Sequence, residues 1–243
     1  MLRLFFIISS ISFLAACSDK NPDVNLQEKL KKDTTAKSQQ IIFADPQMID
    51  SSHIVIYPLI LEKGSYGSSY VSSSGGQRTS YWNLIFYNTE TQMQNLLTRD
   101  RKVLIYSINF GSSSSSSSVE PWANGINIFK ENIIYTAVAK DYNANKQLDE
   151  DDPTYLFISN RDGTNFRQIS PDNFNIVSWE VVKGTTKIIM QARRDNNSDQ
   201  VFDEHDTLVP LVADINSGKP AVETFKQTFI DSLKQHFVTI WKN

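Results

Sequence analysis

An all-β fold follows from three features of the sequence: short runs of β-branched and aromatic residues, turn-forming clusters between them, and an internal repeat of both. The runs are residues 53–61, 81–87, 103–110, 132–138, 154–159, 176–182, 187–192 and 208–213. Each is as long as a strand and too short for an ordinary helix. Tyr 9, Phe 14 and Trp 4 among 243 residues supply the bulky side chains that packed strands use, while Gly 9 and Pro 8 are too few for a disordered chain.

The repeat organises these runs. Ile134 to Asp141 aligns with Ile188 to Asp195; the acidic loops that follow then align, and so do the strands from Thr154 and Leu208. The turns at Arg161-Asp162-Gly163 and Ile215 to Gly218 close each copy. A weaker first copy runs from His53 to Leu61, through a Ser/Gly loop at 64–80, to Tyr81 to Tyr87 and a turn at Asn88 to Thr91.

Two segments carry the cadence of a known blade. Tyr155 to Ser170 reads YLFISNRDGTNFRQIS, and Asn88 to Thr98 reads NTETQMQNLLT. Over residues 50 to 225 this resembles the blades of TolB-type and related WD40-like β-propellers, where a strand ends in Asn/Asp-x-Asp-Gly and the next closes on Leu/Ile-Thr/Ser. The resemblance implies propeller-like blade repeats. With three recognisable units against the four or more of a closed ring, an open blade stack or a twisted sandwich is the alternative.

Residues 1–16 have one positive charge, at Arg3, and an apolar run from Leu4 to Phe13 that is shorter than the roughly 20 residues of a membrane span. They are read as a signal peptide. Leu14-Ala15-Ala16-Cys17 resembles the bacterial lipobox, which implies lipidation of Cys17, the single cysteine, and cleavage before it. A plain secretory signal is the alternative. Several acyl chains attach a protein stably, where one chain is marginal. Ser18 after the cysteine resembles lipoproteins sent to an outer membrane, so the expected location is the cell envelope. Residues 17–42 are polar enough to serve as a flexible tether, 43–225 form the β-repeat domain, and 226–243 a C-terminal helix. From just before that helix to near its end, Phe225, Phe229, Leu233, Phe237 and Trp241 recur every four residues, a stripe expected to dock on the β domain.

The strongest chemical signal lies in the aligned loops. Asp141, Asn143, Asn145, Asp149 and Asp152 occupy positions 1, 3, 5, 9 and 12 of the first, and Asp195, Asn197, Asp199, Asp203 and Asp206 those of the second. This is the oxygen spacing of the EF-hand calcium loop, in which position 7 offers its backbone carbonyl, here from Gln147 and Val201. Leu148 and Phe202 at position 8 are expected to point inward. Lys146 and Gln200 stand at position 6, where that loop has glycine for its sharp bend, and Asp replaces the longer Glu at position 12. The competing reading is a hydrated hairpin capped by Asx-turns.

With Lys+Arg 24 against Asp+Glu 27 and a net charge of -3, there is no basic footprint for nucleic acid. His53, His205 and His236 show no zinc-ligand spacing, and the chain lacks a Gly-x-Ser-x-Gly elbow and a phosphate-binding glycine loop. The seven serines at 112–118 and the first Ser/Gly loop read as solvated connections. Trp82 and Trp179 are expected in the core, and Trp122 as an exposed platform. Together these features describe a lipid-anchored, calcium-binding, non-catalytic module whose partners are the membrane and an envelope protein or glycan. The alternative is an envelope hydrolase working through a carboxylate pair.

Overall fold

The computed structural model describes residues 41–49, 52–60, 70–71, 77–78, 80–111 and 126–242. The chain divides into two compact units, Met1–Gln39 and Gln40–Asn243, and all described residues lie in the second. The expected signal peptide, Cys17, the serine run and Trp122 are outside them.

The strands are β1 (Ile42–Phe43), β2 (Gln47–Met48), β3 (Ile54–Ile60), β4 (Tyr70–Val71), β5 (Gln77–Arg78), β6 (Tyr81–Asn88) and β7 (Gln94–Leu96). There follow β8 (Leu104–Asn109), β9 (Asn132–Val138), β10 (Tyr155–Asn160), β11 (Arg167–Gln168), β12 (Phe174–Val181), β13 (Lys187–Arg194), β14 (Thr207–Asp214) and β15 (Val222–Glu223). One helix, α1 (Gln227–Trp241), ends the described chain. Every long run read from the sequence is a strand within a few residues of its expected ends. Ile42, placed at the end of the tether by composition, begins β1.

Among the described residues all pairings are antiparallel and the sheets are open, in an all-β fold. A nine-stranded sheet runs β1-β3-β6-β8-β9-β10-β11, with β2 on β3 and β7 on β6; β12-β13-β14-β15 form a second sheet, and β4-β5 a two-stranded ribbon. The nine-stranded sheet is nearly two: β6 meets β8 only where Tyr81 pairs with Ile105. The long strands therefore fall into three meanders, β3-β6-β7 with β1 and β2 at its margin, β8-β9-β10-β11, and β12-β13-β14-β15.

The period of two along the strands sets how these meanders stack. Ile56, Leu84 and Phe86 of the first join Ile105, Ile133, Tyr135, Ala137, Tyr155 and Phe157 of the second in one buried layer. The alternate residues Ile134, Leu156 and Ile158 meet Ile188, Met190, Ala192, Val209, Leu211 and Ala213 of the third in another. The middle meander is thus covered on both faces, which is why β10 opens with an unbroken apolar run, YLFI. Inside the first layer the Tyr135 hydroxyl meets the Ser159 hydroxyl at 2.7 Å, and burial pushes the phenol's pKa upward. Trp179 packs half-buried against the second layer, and Trp82 is half-buried in β6.

The repeat is visible in the irregularities as well. β8 pairs with β9 through a bulge between Ile105 and Ser107, opposite Ala137, and β12 pairs with β13 through one between Ile176 and Ser178, opposite Ala192. The turn into the last strand of each meander also holds a residue with positive φ: Gln92, Gly163 and Gly218.

The helix departs from expectation. None of its residues is buried, only Ile230 is half-covered, and the apolar stripe stays in solvent, with Phe237 52% and Trp241 76% exposed. Docking on the β domain is therefore not how its apolar side is used. Periodicity reports amphipathicity but not what covers the stripe.

Candidate functional site: the paired acidic loops

The two acidic loops leave the ends of β9 and β13 and return into β10 and β14, the same point of successive meanders. Their hydrogen bonds match position by position. The position 1 carboxylate accepts the position 6 N–H, from Lys146 to Asp141 at 2.8 Å and from Gln200 to Asp195 at 3.2 Å. The position 3 amide oxygen accepts the position 5 N–H, at 3.0 Å in Asn143 and 3.1 Å in Asn197. The position 5 oxygen accepts the position 7 N–H, at 2.7 Å in Asn145 and 2.9 Å in Asp199. Position 9 accepts from position 11, where Asp151 reaches Asp149 at 3.1 Å and His205 reaches Asp203 at 2.8 Å.

Position 12 closes each ring. Asp152 accepts the Tyr142 N–H at 2.7 Å on one oxygen and the Asp149 N–H at 3.2 Å on the other. Asp206 accepts from Asn196 at 3.1 Å and from Asp203 at 3.3 Å in the same way. Both are buried, whereas the position 7 residues Gln147 and Val201 are exposed and the position 8 residues Leu148 and Phe202 are partly covered, as expected. Burial holds the Asp152 carboxyl above the usual range; the N–H groups of Tyr142, Asp149 and Asn143 act against that rise.

The backbone also repeats. Positions 4 and 6 are left-handed in both loops: Ala144 at φ 58 and Lys146 at 70, Ser198 at 61 and Gln200 at 68. The sharp bend for which glycine is usual is therefore made by residues carrying a Cβ, at a cost of roughly 1 kcal/mol each. What the N–H groups do not satisfy is Asp141 Oδ1, which is buried without a hydrogen-bond partner. Among the described residues, no group of three or more His, Cys, Asp or Glu side chains is gathered as a metal cluster. Each loop instead mixes carboxylate, amide and carbonyl oxygens.

Tyr142, at the unconstrained position 2, joins the loops. Its hydroxyl donates to Asp195 Oδ2 at 3.2 Å and its ring lies 5.2 Å from that of Phe202. Desolvation, then the bond to Asp195 and its charge, raises the phenol's pKa. A cavity of about 410 Å³ opens between the loops, lined by Asn143, Glu150, Asp152 and Asn175 on one side and Gln200, Val201 and Phe202 on the other. The loop spacing gave no signal for Tyr142, since position 2 has no ligand role in that pattern.

A larger open cleft, about 1050 Å³, lies on the outer side of the first meander. Phe43, Tyr57, Ile85, Tyr87 and Leu96 line it with Arg99. Tyr57 pairs with Ile85, and Ile85 with Leu96, so these side chains share one sheet face, opposite the face that carries Ile56 and Phe86 into the core. The two histidines outside the loops stand apart from both regions: His53 lies 3.4 Å from Glu90, both exposed, and His236 is on α1. The sequence matches no family model and no curated protein.

Proposed function

We propose that the protein is a lipid-anchored, non-catalytic binding or assembly module of the cell envelope, built from propeller-like blades that two calcium ions stiffen. In this reading Cys17 carries the anchor, residues 17–42 reach away from the membrane, and the exported domain presents its aromatic cleft to an envelope protein or glycan. The three stacked meanders support the blade reading, each adding short outer strands to longer inner ones.

One observation carries the calcium assignment: six backbone-to-side-chain hydrogen bonds recur at identical positions in two loops 54 residues apart. A carboxylate oxygen that accepts one N–H keeps a second lone pair for a cation. The donor set is all hard oxygen, which suits calcium over zinc or copper, and the unpartnered Asp141 Oδ1 is an oxygen that such an ion satisfies. Asp141, Asn143, Asn145, Asp149 and Asp152 with the Gln147 carbonyl hold one ion, and Asp195, Asn197, Asp199, Asp203 and Asp206 with the Val201 carbonyl hold the other. The ion offsets the repulsion among the carboxylates and fixes the β9–β10 and β13–β14 connections.

Thermal unfolding with millimolar calcium against chelator tests this. A ligand present at a hundredfold its Kd adds about 2.7 kcal/mol per site, a shift of several degrees in Tm. Asp141→Ala combined with Asp195→Ala is expected to abolish the shift, while Lys146→Gly and Gln200→Gly, which relieve the left-handed bends, are expected to keep it. An unchanged Tm on adding millimolar calcium to the native protein refutes the assignment.

A further inference from the structure

We infer that α1 is a membrane-surface element, lying in the headgroup layer of an anionic lipid bilayer with its apolar side down. Its 15 residues span about 22 Å, too short to cross a hydrocarbon core of about 30 Å. At 3.6 residues per turn, Phe229, Ile230, Leu233, Phe237, Ile240 and Trp241 fall within an arc of about 120°. Apart from Ile230, every one of them is exposed, so the β domain does not cover the arc.

Charge selects the occupant. Lys226, Lys234 and Lys242 are spaced eight residues apart along the helix and its caps, and the only acid on it, Asp231, projects well away from the apolar arc. Asp231 meets Lys234 at 3.8 Å, an exposed pair that leaves the lysine free to turn toward a stronger anion. Lys234 is the midpoint residue of α1, so pairing with a second copy along the full helix opposes lysine to lysine. An antiparallel pair sets Lys234 against Lys234 and Lys226 against Lys242; a parallel pair sets each against itself. Lys226 and Lys234 fall on or beside the apolar arc, so a sheet of lipid phosphates answers both at once. Trp241 at the end of the arc has the apolar body and polar N–H suited to that interface, and Lys234 at its edge has the long stem that reaches upward from it.

This inference shares its setting with the lipid-anchor reading but fails separately from it. The test uses the full chain with Cys17→Ser, which carries no acyl group, so α1 is measured without the anchor. It is mixed with phosphatidylcholine vesicles containing about 30% phosphatidylglycerol, and with phosphatidylcholine alone. The expected result is co-sedimentation with the anionic vesicles, a blue-shifted emission lost in Trp241→Phe, and release at high salt. Phe229→Ser with Phe237→Ser, which alters only exposed positions and leaves Tm unchanged, is expected to weaken partitioning by roughly tenfold or more. Because residues 1–16 are present in every sample, equal binding by the native arc and this variant overturns the inference. Equal binding to both vesicle types does so too, as does a dimer in light scattering that Phe237→Ser dissociates. Mass spectrometry of the exported native chain reads the anchor independently.

Discussion

At the scale of single residues, conformations that L side chains resist mark where the backbone is most constrained. Gly163 has φ +79, and a Cβ there meets Phe86 Cδ2 at 2.3 Å, because the second hairpin's turn presses on the ring that the first meander buries. Gly163→Ala is expected to cost roughly 2–4 kcal/mol, from a left-handed alanine and an overfilled contact, read as a lower midpoint in urea. The Asp-Gly turn was legible in the sequence; the ring against it was not, since nothing local to residue 163 records a partner at residue 86.

Asp214 shows a residue-scale effect of opposite character. The Thr186 hydroxyl donates to its carboxylate at 2.8 Å and the Asn216 N–H at 3.1 Å, and these, with Lys187 nearby, hold its pKa below the usual carboxylate range. The ionised form is the one stabilised, so the contribution is present above the ordinary carboxylate pKa and is lost as pH falls through the lowered value. In Thr186→Val, the Asp214 carboxyl followed by NMR is expected to titrate at a higher pH than in the native protein.

At the scale of elements, strands and acidic loops were readable because their signals are local. Alternation and β-branching placed β3, β6, β8, β9, β10, β12, β13 and β14, and oxygen spacing placed the loops. The two-residue strands β1, β2 and β15 carry too little pattern to be seen; only pairing with a neighbour defines them. Position 6 of the loops was misleading in the other direction, since Lys146 and Gln200 adopt the bend that their side chains disfavour. A dozen N–H bonds across the two loops over-determine it, a cost that neighbouring structure offsets. The helix was readable as a helix, but its lack of a cover was not, because an apolar stripe looks the same whatever faces it.

At the scale of the whole molecule, the middle meander belongs to both apolar layers, so the domain is expected to unfold in one step. Leu156 is completely buried in the second layer while its neighbours Tyr155 and Phe157 fill the first. Leu156→Ala is expected to cost about 2–5 kcal/mol. Hydrogen exchange is expected to show β3, β6, β13 and β14 losing protection together, although the mutated side chain touches only the layer shared with β13 and β14. Selective loss in β13 and β14 alone is the outcome that separates the two layers into independent units.

The last strands of the three meanders, β7, β11 and β15, have only three, two and two residues. A neighbour approaching any of these three edges finds almost no free ladder to extend, so strand addition is blunted there.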